Sequence, residues 1–245
     1  EQSAEDWWRA ICQSVRSALE KGQVKPDEIV GIGSDATSCT VMLVDENCNP
    51  IRPAILWMDV RAADQADRIA AFGHPALKYN GFGNVSAEWF PCKVLWLKEN
   101  EPDNYHKAYR AIECTDWLTY QLTGAWTTSI NTASIRGYYD NRQGGWPVDF
   151  YEKIGLAGIT EKFPDKVSPL GEKIGVLTKK AAEDLGLREG IPVGQGGADA
   201  FVAMIGLNVV APGRMAFITG SSHLHLGLSE QELHAPGIFG SYPDA

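Results

Sequence analysis

Gly194-Gln195-Gly196-Gly197-Ala198-Asp199 runs directly into the apolar stretch Ala200-Phe201-Val202-Ala203-Met204-Ile205. After Ala211-Pro212-Gly213 the chain continues Arg214-Met215-Ala216-Phe217-Ile218-Thr219-Gly220-Ser221-Ser222. The first part predicts a short strand (Ile191-Pro192-Val193), a glycine turn and a helix over 200–208 whose start carries an aspartate. The second part predicts an apolar strand that stops in a Gly-Ser-Ser turn. Glycines at such turns let backbone N–H groups approach an anion. A carboxylate at a strand-to-helix turn can take a proton from a hydroxyl within reach. Together these features point to phosphoryl transfer onto an alcohol. Each has a plainer reading beside it: Asp199 as a helix cap, and Gly-Ser-Ser as an ordinary turn.

Further upstream, Gly31-Ile32-Gly33-Ser34-Asp35-Ala36-Thr37-Ser38-Cys39-Thr40-Val41-Met42-Leu43-Val44-Asp45 reads as a strand, a polar turn and a second strand. The spacing makes 41–44 the hairpin mate of a buried strand over 29–32, and Ile55-Leu56-Trp57 a third strand. Asn47-Cys48-Asn49-Pro50 is turn chemistry.

In combination, Gly196-Gly197-Ala198-Asp199-Ala200, Ala211-Pro212-Gly213-Arg214 and Gly220-Ser221-Ser222 resemble the FGGY carbohydrate kinases. Asp35-Ala36-Thr37 and Leu56-Trp57-Met58-Asp59-Val60-Arg61-Ala62 resemble the pentulose-kinase branch, the ribulokinase- and xylulokinase-like members. So do Ser86-Ala87-Glu88-Trp89-Phe90-Pro91-Cys92-Lys93 and Glu113-Cys114-Thr115-Asp116-Trp117-Leu118. The resemblance covers essentially the whole chain. It implies an α/β, actin-like (ribonuclease H-like) ATPase fold. It also implies ATP and Mg²⁺ as cofactors, Asp199 as catalytic base, and Gly220, Ser221 and Ser222 as a nucleotide phosphate turn, with Ser221 where threonine is usual. The family opens with an Asp-x-Gly-Thr turn that organises magnesium, and no such motif precedes Glu1. The chain is therefore expected to be a central fragment of a longer kinase: 1–208 from the N-terminal domain, 209–245 the beginning of the C-terminal domain.

Composition narrows the classes. The 245 residues, 44% hydrophobic, are enough to bury a sizeable core. A net charge of −9 without a basic block argues against nucleic acid. No apolar run is long enough to span a membrane, and the acidic start does not read as a signal peptide. Five cysteines without a Cys-x-x-Cys fit reduced thiols in a cytoplasmic protein. The expected partner is a small sugar or polyol, and a homodimer is an open alternative to a monomer.

Apolar residues at Trp7, Trp8, Ile11, Val15 and Leu19 predict a helix over 5–21, capped by Ser3 with Asp6 three residues on. Helices are also expected over 61–71, over 88–100 behind Ser86, over 116–122 ending at Gly124, and over 150–154 and 179–185. The Thr-, Ser- and Asn-rich stretch 127–139 reads as a loop with weak strand character.

Several side chains are candidates for sugar binding. Asp35 and Thr37 could meet sugar hydroxyls or simply form an Asx-turn. Asp59 and Arg61 could be an exposed ion pair, but the resemblance places Asp59 near the sugar. Lys93 could be a solvated helix lysine. In the family pattern it donates a charge-assisted hydrogen bond to a sugar oxygen. Asp116 reads as a cap. His223 and His225 would share one strand face, but with no third ligand nearby no metal site is assigned. The leading function is phosphorylation of a pentulose or related polyol. The alternatives are a non-kinase actin-like ATPase and a catalytically incomplete sugar-binding fragment.

Overall fold

The computed structural model describes residues 1–220 and 223–245. Helix α1 (Ala4–Gly22) begins where Ser3 Oγ accepts from the Asp6 amide at 3.4 Å, with Glu5 and Asp6 in its first turn, where the helix dipole favours acids. Its apolar stripe packs Trp8, Ile11 and Val15 against Leu185 and Ile191.

Strand β1 (Asp35–Ala36) is followed by β2 (Val41–Val44), whose four residues are all buried. Alternation sends Val41 and Leu43 into one core with Ile55, Ile69, Leu97 and Phe150. Met42 and Val44 enter another with Ile112 and Trp117. A strand apolar on both faces is thus the wall between two cores. Helices α2 (Ala63–Ala71), α3 (Phe90–Asn100) and α4 (Pro102–Lys107) lead to β3 (Arg110–Glu113). The hairpin expected between 29–32 and β2 does not form: β2 pairs antiparallel with β3, Val41 opposite Glu113 and Val44 opposite Arg110. Ile32 instead bridges in parallel to Val193. Residues 54 and 55 bridge Gln2 and Val41 without extending into a strand.

Helix α5 (Cys114–Thr123) starts directly from β3 and stops at Gly124, whose φ of +73° suits glycine. Next come β4 (Thr127–Ser129) and α6 (Ile130–Gly137). The stretch expected to be a loop is thus mostly helix. Ser129 Oγ caps it by accepting from the Asn131 amide at 3.1 Å, and burial of Ile130, Ala133 and Ile135 outweighs the weak helix propensity of Thr, Asn and Ser. Helix α7 (Val148–Lys153) closes the larger core through Phe150 and Tyr151. Strand β5 (Lys166–Ser168) pairs in parallel with β4, and β6 (Lys173–Val176) pairs antiparallel with β7 (Pro192–Gly194) around α8 (Lys179–Leu185). Strand β8 (Gly197–Ala198) then runs into α9 (Asp199–Gly206). Helix α3 begins at Phe90 with Trp89 as its N-cap, while Ser86 Oγ serves the Glu88 amide before it.

The last elements are the hairpin β9 (Met215–Thr219) and β10 (His223–Gly227), resting on α9 through Phe201, Met204, Ala216, Ile218 and Leu226. Met215 and Phe217 on it are largely exposed. Among the described residues no helix is long and apolar enough to cross a membrane.

Candidate functional site

The glycine turn before Asp199 is built by close packing. β1 and β8 are parallel, Asp35 opposite Gly197 and Ala36 opposite Ala198. Gly196 passes so near Ser34 that a Cβ there would lie 1.6 Å from the Ser34 carbonyl oxygen. At Gly197 a Cβ would lie 2.7 Å from Leu170 Cδ2 and 3.0 Å from Asn131 Oδ1. Glycine is needed at 196 because two backbones touch there, and at 197 it makes room for the side chains of Leu170 and Asn131. Ala198 is the N-cap of α9 and donates its N–H to Asn131 Oδ1 at 3.0 Å. Asp199 is therefore the first helical residue, not the cap. It is exposed, and one carboxylate oxygen accepts from the Ala200 amide at 2.7 Å. Gln195, at the entry to the turn, is buried and accepts from Thr127 Oγ1 at 3.0 Å.

The two motifs that are far apart in sequence thus meet. Asp35 is exposed on β1 beside the Asp199 turn, and Thr37 follows it, its Oγ1 3.1 Å from Thr40 Oγ1. Thr40 Oγ1 in turn accepts from the Trp57 amide at 3.2 Å, which joins the 35–40 turn to the segment carrying Asp59. Asp59 is half-buried and held by Arg61. Nε and Nη2 of Arg61 donate to its two oxygens at 2.9 and 2.8 Å, and the Arg61 amide donates at 2.9 Å. The guanidinium lies 5.0 Å from the centre of the Trp96 ring and also pairs with Glu1. This bidentate partner lowers the Asp59 carboxyl to about 2.

Lys93 is neither solvated nor free. It is fully buried, and its ammonium donates to the carbonyls of Cys39 at 2.9 Å, Leu56 at 2.6 Å and Trp57 at 3.0 Å. Three protons meet three acceptors, so none is left for a sugar oxygen in this arrangement. Burial lowers its pKa. Gly220 is exposed at the end of β9, while Ser221 and Ser222 lie outside the described residues. His223 and His225 do share a face, their rings 5.8 and 4.6 Å from that of Phe217. Among the described residues no group of three or more metal-ligating side chains forms.

A family model described as the FGGY family of carbohydrate kinases, N-terminal domain, matches residues 1–206. The chain belongs to the FGGY family. It is 35% identical to an FGGY carbohydrate kinase domain-containing protein of Xenopus laevis, over all of this chain and 49% of that protein. It is 32% identical to a ribulokinase of Bacillus licheniformis, over 98% of this chain and 46% of the relative. The chain thus spans about half the length of the curated relatives it matches. Among solved structures, a xyloylose kinase from Brucella ovis superposes with a TM-score of 0.82 at 22% identity, covering 96% of this chain and 47% of that one. A xylulose kinase from Rhodospirillum rubrum does so at 0.74 and 24%, covering 86% and 43%. The fold is that of the FGGY sugar kinases, an actin-like ATPase fold, and the mixed helices and strands agree with the α/β class.

Within this FGGY chain two acids gain a weight that sequence reasoning missed. Glu113 is buried, and its Oε2 accepts from the Cys39 amide at 2.6 Å. Asp116 Oδ2 accepts from the Glu113 amide at 3.0 Å, a capping box at the head of α5. Burial pushes Glu113 up to about 8, with the Asp116 charge adding to it, and burial pushes Asp116 up to about 7. Two acids three residues apart at the end of an apolar strand are a visible signal, but it reads equally as a cap.

Proposed function

We propose that the chain is the sugar-binding part of an ATP-dependent carbohydrate kinase acting on a pentulose, such as ribulose or xylulose, or on a related polyol. The observation that carries this reading is the parallel register of Asp35 with Gly197, which brings Asp35, Thr37 and Asp199 to one sheet edge. Kinases of ribulose and xylulose are named among the relatives and structural neighbours, which supports the substrate class.

In this reading Asp199 accepts the proton of a primary hydroxyl as that oxygen attacks the γ-phosphorus of ATP in line. The new O–P bond forms, the bond from the γ-phosphorus to the bridging oxygen breaks, and ADP leaves with that electron pair. Exposure suits Asp199 to this role, because the substrate must reach it. Asp35 and Thr37 orient the sugar from the neighbouring strand, and Asp59, kept ionised by Arg61, accepts from a further hydroxyl. Gly220, Ser221 and Ser222 are assigned to the nucleotide phosphates. Magnesium would neutralise phosphate charge, but the described residues form no three-ligand cluster for it, so no step is assigned to a metal held by this chain. We take 1–208 as one domain and 209–245 as the beginning of a second, in a cytoplasmic enzyme.

The test is ADP release by the full-length protein with ATP, magnesium and a panel of pentuloses and polyols. Sugar-dependent turnover is expected. ATP turnover indifferent to every sugar would return the chain to a non-kinase ATPase, and sugar binding without turnover to a binding module.

A further inference from the structure

The backbone of Cys39 is gripped on both sides. Its N–H donates to Glu113 Oε2 at 2.6 Å and its carbonyl accepts from Lys93 Nζ at 2.9 Å. Cys39 has a φ of +65°, a left-handed conformation that a non-glycine residue holds only when its surroundings impose it. We propose, resting on the sugar-kinase reading above, that Lys93 and Glu113 are positioning residues that clamp the backbone of Cys39 and thereby fix the turn carrying Asp35 and Thr37 against the segment carrying Asp59.

Three observations converge on this. Both side chains are buried, so neither touches a sugar directly. Lys93 reaches across to Leu56 and Trp57 as well, so one ammonium binds both loops. The two hydrogen bonds hold one residue's backbone from opposite sides, and the ammonium charge strengthens the bond made to the carbonyl. Facing Glu113 are Asp116 from α5, Lys93 from α3, Arg136 from α6, Tyr151 from α7 and the thiols of Cys39 and Cys114. Asp116 Oδ1 and Thr132 Oγ1 have no partner among the described residues. Both residues line a cavity of about 20 Å³, the size of one water.

An acid whose native pKa lies above its unfolded value keeps a proton that the unfolded chain has released. Its contribution to stability is therefore complete below about 4.5 and is lost as pH rises towards about 8. Glu113→Gln keeps an acceptor for the Cys39 amide but cannot titrate, whereas Glu113→Ala removes the acceptor.

In the full-length protein, Glu113→Ala is expected to raise the sugar KM about tenfold with kcat and the ATP KM within about threefold, and Glu113→Gln to restore the sugar KM. Equal effects on all three constants, or no difference between Ala and Gln, would overturn the clamp. Amide hydrogen exchange on the chain itself separates this inference from the kinase reading. The Cys39 N–H should be protected in the unmodified chain and in Glu113→Gln, and exchange at least tenfold faster in Glu113→Ala. The fall in urea midpoint between pH 5 and 8 should be shallower in Glu113→Gln. Unchanged Cys39 protection in Glu113→Ala sinks the clamp even if a sugar is phosphorylated. Faster exchange without any sugar turnover keeps the clamp and sinks only the kinase reading.

Discussion

Asn131 Oδ1 stands 3.0 Å from the amide nitrogen of Ala198, one residue before Asp199. A buried asparagine on α6 therefore satisfies a helix-start N–H that α9 itself cannot, and sets where Asp199 points. Asn131→Leu, similar in size but without an acceptor, should leave that N–H unpaired. A loss of about 1–3 kcal/mol in urea unfolding is expected, together with a lower kcat for sugar phosphorylation. Unchanged stability and unchanged kcat would show that the bond is incidental.

Asp199→Asn in the full-length protein should lower kcat by about 10²–10⁴-fold with little change in sugar KM. Stability should shift by no more than about 0.5 kcal/mol, because the side chain is exposed. Steady-state kinetics beside a denaturation curve checks both. Near-normal kcat would leave Asp199 as a surface residue at the head of a helix.

Gly196→Ala should be poorly tolerated. Its new methyl would meet the Ser34 carbonyl oxygen at 1.6 Å, an atom of the main chain that cannot swing aside, and β1 would have to part from β8. The expected loss lies at or beyond the upper end of about 1–3 kcal/mol. Gly206→Ala, where nothing lies within 4 Å, is the matched control and should be neutral or slightly stabilising. Similar thermal midpoints for the two variants would contradict the close approach.

Lys93→Met should cost at least about 3 kcal/mol, because three carbonyls lose their donor together at about 1–3 kcal/mol each. The urea midpoint reads this directly. A loss below 1 kcal/mol would mean that water or a neighbouring donor takes over.

Asp59 should remain ionised down to about pH 2 because Arg61 holds it. A carboxylate with a depressed native pKa adds stability above its unfolded pKa. That contribution is lost as pH falls from about 4 towards 2. In Arg61→Gln the carboxyl resonance of Asp59 should titrate in the ordinary range near 4, as followed by ¹³C NMR. An unshifted midpoint would show that Arg61 is not the cause.

Local signals were the legible part. Ser3 with Asp6 marked the start of α1, Gly124 the end of α5, and the Gly196-Gly197-Ala198-Asp199 run a turn into a helix, because each depends on a few neighbouring residues. Pairing was not legible. Nothing near Val41 announces Glu113 as its partner, so adjacency suggested the wrong hairpin. Helix α6 was hidden because burial, not propensity, makes Thr132 and Ser134 helical. At the site, Asp35, Thr37 and Asp199 could be picked out as candidates, and the β1–β8 pairing was needed to see them together. Lys93 drew notice for its charge, but only geometry reveals that three carbonyls consume it.

The pairing of β1 with β8 also sets an order of events during synthesis. Residues 35 and 36 leave the ribosome long before residues 197 and 198, and β2 likewise waits for β3. Contacts this distant in sequence form late and slowly. The Asp35–Thr37 turn must therefore stay without its partner while most of the chain is made, and a nascent chain stalled before Gly197 should show α1 protected but this turn open to protease.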